Sequence, residues 1–341
     1  VPLHNKNNAI ELGLKIFYQM QIRIYFILLI VFTMFSCDEE SKIEQEIAKI
    51  EVDFNVERFD KAFYEATPKD LGQLKMEYPF MFSKQTPDSI WVNRINDTLQ
   101  NEILQEVDIA FKDFKEPKEE LIAMFQHIKY YDKVFSVPRV ITLTNDVQYR
   151  DNVIVTDSIA LIALDNYLGE THRFYVDGNI PAYLAKNFTQ EQIVVDLADG
   201  YAKKYVFQAN RKTLLDEMIY FGKLLYFKDV IIPFKTDAEK MGYSELQLKW
   251  AEANESQIWS YFIEKELLYS TDPKLPNRFI ADAPFTKFYL QLDNESPGRL
   301  GQYLGWQIVK AYAETTGKDM MKIMQTEPEE IFRKSKFKPK K

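Results

Sequence analysis

The segment that decides the fold lies in the middle of the chain and reads Leu214-Leu215-Asp216-Glu217-Met218-Ile219-Tyr220-Phe221-Gly222-Lys223. Helical periodicity predicts a helix from about residue 211 to 227, with Asp216 and Glu217 as a charged pair and Tyr220 packed in the core. A helix predicted over residues 189–206 precedes it, because its first residues have the spacing of a capping box. Two consecutive helices therefore occupy the centre of the sequence.

Helical periodicity extends to both sides of this pair. Upstream, apolar residues recur at helical spacing over residues 89–114 and again over 119–131. Downstream, a capping box at Ser244 begins a third helix, and residues 255–269 form a fourth. A last long helix is predicted over residues 298–315, before Gly317. The chain is therefore expected to be mostly α-helical.

The period changes between residues 135 and 164. Short β-branched segments separated by turn residues predict strands at 135–143, 152–156 and 159–164. We expect them to form a small antiparallel sheet. No linker rich in Pro, Gly or Ser divides the chain, so the sequence predicts one α+β domain, mostly α, over residues 57–332. A basic tail, residues 333–341, follows the domain.

A glycine-rich block follows a loop with four prolines at residues 270–298. Such a long loop in a compact domain is often functional. Gly298, Gly301 and Gly305 share a helix face, where small residues permit close contact with another helix. The alternative is that the helix start, with its arginine, binds an anionic group. The side chains of this block that could line a cleft or contact a partner are Arg299, Gln302 and Trp306.

The N-terminal part has the features of an export signal. An apolar run at residues 24–35 follows Arg23. It is too short to span a bilayer, which requires roughly 20 residues. We expect Met20 to be the true start, and residues 1–36 to comprise an upstream extension and a signal peptide.

Cys37 stands at the end of this apolar run and is the single cysteine of the chain. A lone cysteine is often a small buried hydrophobe. Here it follows a small residue and precedes Asp38-Glu39-Glu40, a pattern that resembles the lipobox of bacterial lipoproteins. We therefore predict that Cys37 is lipidated and that residues 37–56 tether the domain to a membrane.

Composition excludes some classes of function. The formal net charge of −8 disfavours a nucleic-acid partner. The 25 phenylalanines and 20 tyrosines suffice for a large core. A single cysteine cannot form an internal disulfide, although an envelope location would permit one.

The order of a small sheet and two helices resembles the zincin metallopeptidases, whose active helix carries His-Glu-x-x-His. That spacing places two imidazoles on one zinc ion and the glutamate beside the zinc-bound water. Here the corresponding residues are Asp216, Glu217 and Tyr220, so both histidines are absent. His127 and His172 have no ligand spacing and are expected at the surface or in the core. We predict no metal and no cofactor.

Two arrangements of this degenerate motif remain open. A surviving metal site would require Asp216 and Tyr220 to converge with a third carboxylate, either Glu255 or Glu264. Otherwise Asp216 would accept hydrogen bonds, for example from Tyr220 or Lys223.

The mature chain is similar to the gliding-motility lipoprotein GldB family of Bacteroidota over nearly its whole length. Four blocks carry the resemblance: residues 37–40, 157–169, 216–226 and 297–309. The family itself looks like a degenerate member of a group of predicted zinc proteases. The resemblance implies a lipoprotein needed for surface gliding, a motility linked to type IX secretion.

Two hypotheses follow from this resemblance. In the first, the chain is a non-catalytic component or assembly factor of the gliding and secretion apparatus. It would be lipid-anchored in the cell envelope, at the outer membrane, and would bind other envelope proteins. In the second, it is a hydrolase with an atypical zincin-like site that uses Glu217.

Overall fold

The computed structural model describes residues 42–207, 211–282, 287–288, 293 and 295–340. The chain divides into two units, Val1–Glu51 and Val52–Lys341. In the first unit, residues 42–47 form a short helix. Met20, the signal peptide and Cys37 lie outside the described residues, so the start, the cleavage and the lipidation stay predictions.

The second unit contains a mixed four-stranded sheet within its described residues. Its strands, in the spatial order β1-β2-β4-β3, are β1 (Val56–Arg58), β2 (Arg139–Leu143), β3 (Val153–Val155) and β4 (Ile159–Ala163). The pairs β1–β2 and β2–β4 are parallel, whereas β3 and β4 form an antiparallel hairpin. The predicted antiparallel sheet is therefore wrong.

The connections explain this mixed topology. Strand β1 was not predicted, because it has three residues and directly follows the proposed tether. A long helical crossover joins β1 to β2 and allows them to run in parallel. Strand β4 then inserts between β2 and β3, so it turns back from β3 and lies parallel to β2.

The crossover between β1 and β2 consists of helices. They are α1 (Phe59–Tyr64), α2 (Leu71–Glu77), α3 (Asp88–Ile95), α4 (Thr98–Ala110) and α5 (Lys115–Tyr131). The continuous periodicity of residues 89–114 is thus divided between α3 and α4. The division occurs because the Asp97 side chain accepts a hydrogen bond from the Gln100 N–H and starts a new helix.

After β4, the described residues form helices joined by loops and contain no further strand. These helices are α6 (Arg173–Asp177), α7 (Ala182–Ala185), α8 (Ile193–Tyr205), α9 (Leu214–Ile231), α10 (Asp237–Met241), α11 (Glu245–Ala253), α12 (Glu255–Glu264), α13 (Leu275–Phe279), α14 (Leu300–Thr316), α15 (Met320–Gln325) and α16 (Pro328–Ser335). The predicted α+β class, mostly α, is confirmed. The predicted loop at 270–298 contains α13, and the predicted basic tail begins within α16.

The sheet separates two apolar clusters. Along β2, Val140 packs into the main core and Ile141 into a smaller cluster with α1 and α2. This alternation follows from the two-residue period of a strand. The main core surrounds α9, which is apolar on most sides and buries most of its residues.

Helices α9 and α14 make the most extensive helix–helix contact among the described elements. They cross where Gly222 faces Gly305. A Cβ atom on Gly305 would lie 1.8 Å from the Met218 carbonyl oxygen, so glycine is required there. Gly301 instead faces Phe279 of α13, and Gly298 precedes the helix. Of the three glycines, Gly305 permits the close contact with α9, and Gly301 permits a close contact with α13, since a Cβ atom on Gly301 would lie 2.9 Å from the Phe279 carbonyl oxygen.

Candidate functional site

Asp216 is used as a helix cap. Its carboxylate accepts the backbone N–H groups of Lys212 at 3.0 Å and Thr213 at 2.9 Å. The Thr213 hydroxyl in turn accepts the N–H of Asp216, which completes a capping box at the start of α9. The hydrogen bonds that satisfy Asp216 therefore come from the backbone, and neither Tyr220 nor Lys223 supplies them.

Glu217 and Tyr220 both contact Arg211, a cation that lies outside the Asp216–Tyr220 motif. The Arg211 guanidinium lies 3.2 Å from a Glu217 carboxylate oxygen and 3.9 Å from the centre of the Tyr220 ring. Burial raises the pKa of Glu217, and the charge of Arg211 acts in the opposite direction. The pair is an ion pair stacked on an aromatic ring.

Lys223 is a buried structural cation. Its ammonium group donates to the backbone carbonyls of Met324, at 3.1 Å, and Thr326. These carbonyls lie at the C-terminal end of α15, where a positive charge is favourable. Burial lowers the pKa of Lys223 to about 8, against the charge of Glu327. Lys223 therefore fastens α15 to α9.

The carboxylates proposed as a third metal ligand do not join Asp216. Glu255 is buried and accepts hydrogen bonds from the Tyr303 hydroxyl and the Lys340 N–H, each at 2.8 Å. Glu264 is exposed. Among the described residues, no group of three or more His, Cys, Asp or Glu side chains could hold a metal ion.

The histidines and Trp306 have local partners. His127 is buried with its Nδ1 atom 2.8 Å from the Ala123 carbonyl, and His172 lies 3.6 Å from Glu106. Trp306 is fully buried and donates to Asp229 at 2.6 Å. Trp306 therefore does not line a cleft.

A cavity of about 280 Å³ lies between α8, α9, α10 and the start of α14. Of the predicted partner-binding residues, Arg299 and Gln302 line it. The sequence analysis missed the residues that α8 contributes, Val195, Asp196 and Asp199. Two aspartates three residues apart in the otherwise uncharged first ten residues of α8 are the signal that could have indicated them.

Asp196 has neutral hydrogen-bond donors. It accepts hydrogen bonds from the Tyr167 hydroxyl at 2.7 Å and from the Asn152 amide at 3.1 Å. Burial raises its pKa, while these hydrogen bonds act in the opposite direction. Tyr167 is itself fully buried, so the hydrogen bond also satisfies a hydroxyl in the core.

The cations of the cavity are paired with carboxylates. Lys228 donates to the Lys240 carbonyl at 2.6 Å and lies 3.6 Å from Asp199. Arg299 lies 3.0 Å from Asp282. Burial lowers the pKa of Lys228, and Asp199 acts in the opposite direction.

The comparisons with known proteins give one family. The family model described as "Gliding motility protein GldB" matches residues 40–339. The chain belongs to the GldB family. It is therefore a protein related to gliding motility. No curated protein matches the chain significantly, and no solved structure does so either.

This GldB family member contains a strained loop beside the cavity. Asp146 and Val147 have φ angles of 61° and 57°, and a β-branched residue in the left-handed region is a true outlier. The buried Asp165 carboxylate holds the loop by accepting the N–H groups of Asn145 and Val147. Tyr149 of the same loop lines the cavity.

Within the described residues, no helix is both long and apolar enough to cross a bilayer.

Proposed function

We propose that this GldB family member is a non-catalytic, lipid-anchored component or assembly factor of the gliding apparatus. One observation carries the proposal: the four residues of the degenerate motif all have structural partners. Asp216 caps α9, Lys223 holds the end of α15, and Glu217 and Tyr220 contact Arg211. Ligands and bases of a metallopeptidase must instead be directed at the substrate cleft.

The cavity supports the same conclusion. Val195, Asp196 and Asp199 have the relative spacing of the first histidine, the glutamate and the second histidine of His-Glu-x-x-His. Valine cannot bind zinc, and Asp199 is neutralised by Lys203 at 2.8 Å as well as by Lys228. We infer that this cavity serves contact with an envelope partner in place of hydrolysis.

Lipidation at Cys37 would hold the domain at a membrane, expected to be the outer membrane. The partners expected there are other proteins of the gliding and type IX secretion machinery. This part of the proposal rests on the sequence at residues 20–40 and on family membership.

The alternative function is hydrolysis that depends on Glu217. One observation favours it, because burial raises the pKa of Glu217 in the direction that a general base at neutral pH requires. The Arg211 ion pair acts against it.

A gliding assay of Glu217→Gln separates the two functions. Glutamine has nearly the shape of glutamate but cannot accept a proton, so a hydrolase would lose about 10²–10⁴-fold in rate. A partially exposed ion pair contributes only about 0–1 kcal/mol to stability. We therefore expect colony spreading and single-cell movement to remain largely intact at normal protein abundance.

Gly305→Leu is the control for this assay, because it disrupts the contact of α9 with α14 and should abolish gliding together with protein abundance. If Glu217→Gln cells contain the normal amount of protein and do not glide, the non-catalytic function loses its main support.

A photo-crosslinking amino acid at Leu184, which lines the cavity, tests the contact with a partner. We expect it to capture an envelope protein of the gliding machinery in intact cells. The same amino acid at the exposed Glu329 of α16 is the matched control. Equal capture at both positions would argue against the cavity as the contact.

A further inference from the structure

We propose that the cavity between α8, α9 and α14 binds an alkylguanidinium group, namely the side chain of an arginine. This inference rests on the proposed function, since the arginine would belong to the envelope partner.

The side-chain amides around the cavity all use their NH2 groups on the protein. Asn187 donates to the Gly242 carbonyl at 3.3 Å, Gln192 to the Glu239 carbonyl at 3.4 Å and Gln302 to the Ile280 carbonyl at 2.7 Å. Because a carbonyl can only accept, these bonds fix which end of each amide faces it. Each amide retains its oxygen as an acceptor, together with one N–H.

Asn152 follows the same pattern. Its NH2 group donates to Asp196, and its Oδ1 atom is buried without a hydrogen-bond partner among the described residues. Because this oxygen has almost no accessible surface, it does not face the cavity, and what Asn152 contributes to the site is the hydrogen bond that orients Asp196.

The charges of the cavity favour a bound cation beside Asp196. Lys228 is matched by Asp199, Lys240 by Asp229 at 3.1 Å, and Arg299 by Asp282. Asp196 is the cavity carboxylate that has no cation within salt-bridge distance among the described residues, and the charge of Lys228 acts on it from farther away. A bound cation would complete its coordination.

The remaining walls and the volume suit an arginine side chain. The apolar lining includes Leu184, Phe188, Val195, Phe221, Leu224 and Leu225. These side chains can pack along methylene groups, and the ring of Phe221 can contact a planar cation. A volume of about 280 Å³ lies just below the usual range for small-ligand pockets, roughly 300–1,000 Å³, so it suits one side chain.

A guanidinium group fits these acceptors better than an ammonium group. Guanidinium presents five donors in a plane and is weakly hydrated, whereas ammonium presents three and is strongly hydrated. With five donors in a plane, a guanidinium group can engage more acceptors at once than the three donors of an ammonium group can.

Calorimetric titration of the full-length protein in detergent tests the proposal with defined probes. These are methylguanidinium, n-butylammonium, acetate, free L-arginine and the peptide Gly-Arg-Gly. We expect methylguanidinium to bind more tightly than n-butylammonium and acetate not to bind. If Gly-Arg-Gly binds more tightly than free L-arginine, the guanidinium group belongs to an arginine of a protein partner. If free L-arginine binds more tightly, the assignment to a protein partner is overturned.

Asp196→Asn should weaken methylguanidinium binding about tenfold or more, because a charge-assisted hydrogen bond becomes neutral. The same substitution at Asp157, which is exposed and pairs with Lys204, should leave binding unchanged. Val195→Met supplies a second test, since it fills the cavity without altering charge and should also block binding. Melting curves of each variant verify that it is folded.

Equal binding to wild type and Asp196→Asn, or preferred binding of acetate or n-butylammonium, would overturn the guanidinium assignment. Such a result would not change what the gliding assay of Glu217→Gln shows about the non-catalytic function. Conversely, loss of gliding in Glu217→Gln with normal methylguanidinium binding would count against the non-catalytic function alone.

Discussion

At the residue scale, Asp165 is a buried carboxylate that organises the strained loop beside the cavity. It is completely buried and accepts hydrogen bonds from Asn145 at 3.1 Å and from Val147 at 2.7 Å. Burial raises its pKa to about 6 from the ordinary value of 3.8, and the two backbone N–H groups act in the opposite direction. The loop conformation therefore depends on a carboxylate that titrates in a mildly acidic range.

This shift predicts a pH dependence of stability. The folded state binds the Asp165 proton more tightly than the unfolded state, so stability falls as pH rises from about 4 to about 6. A shift of about two pKa units corresponds to roughly 3 kcal/mol. We expect Asp165→Asn to remove this part of the pH dependence, as measured by urea unfolding between pH 4 and pH 8.

Asp151→Asn is the control, because Asp151 is an exposed aspartate of the same loop. Other buried carboxylates also titrate, so the difference between the wild-type and Asp165→Asn curves is the quantity to compare. Parallel curves over the whole range would contradict the assignment to Asp165.

At the element scale, the crossing of α9 and α14 is determined by glycine. A Cβ atom on Gly222 would lie 2.3 Å from the carbonyl carbon of Gly305, so the two backbones touch directly. Because this contact joins the two longest helices after the sheet, it also positions the residues of α9 and α14 that line the cavity.

The crossing predicts a large effect for a very small substitution. Gly305→Ala should destabilise the protein, because its Cβ atom meets the Met218 backbone and overpacking typically costs about 1–3 kcal/mol. The shift of the urea midpoint measures it. Gly72→Ala in α2 is the matched control: nothing lies within 4 Å of the added methyl group, and it should stabilise by about 0.5–1 kcal/mol. If Gly305→Ala and Gly72→Ala change the free energy of unfolding equally, helix propensity and not packing determines the effect of an added methyl group.

At the scale of the whole molecule, the proposed function requires attachment to a membrane. Cys37→Ala should abolish incorporation of labelled palmitate, because the substitution removes the single thiol of the chain. The protein would then be released or retained by its uncleaved signal, as measured by fractionation. Ser36→Ala keeps a small residue before the cysteine and should leave lipidation intact. Unchanged labelling and membrane fractionation in Cys37→Ala would contradict the lipoprotein proposal.

The predictability of this protein differed between its elements. The positions of the long helices α5, α8, α9 and α14 and the α+β class follow from apolar periodicity, which is a local property of the chain. Short helices such as α1 and α6 were not predicted, because four to seven residues are too few to show a helical period. The resemblance to the GldB family also lay in local blocks, and the family match confirms it. The sheet orientation could not be predicted in the same way, because β1 has only three residues and its parallel pairing depends on a distant crossover.

The same distinction between local patterns and long-range contacts applies to the candidate site. The sequence by itself identified the capping box at Ser244, the glycine that permits the crossing and the loss of both histidines from the Asp216–Tyr220 segment. The capping box that it predicted at Thr189 is wrong, because the Thr189 side chain makes no cap hydrogen bond. Only the tertiary structure decided that Asp216 serves as a cap and that Arg211 pairs with Glu217. It also brought Asp196 of α8 into one cavity with Arg299 of α14. The physical reason is that a capping or helix-face preference acts within a few residues, whereas the partner of a side chain is set by packing between segments far apart in the chain.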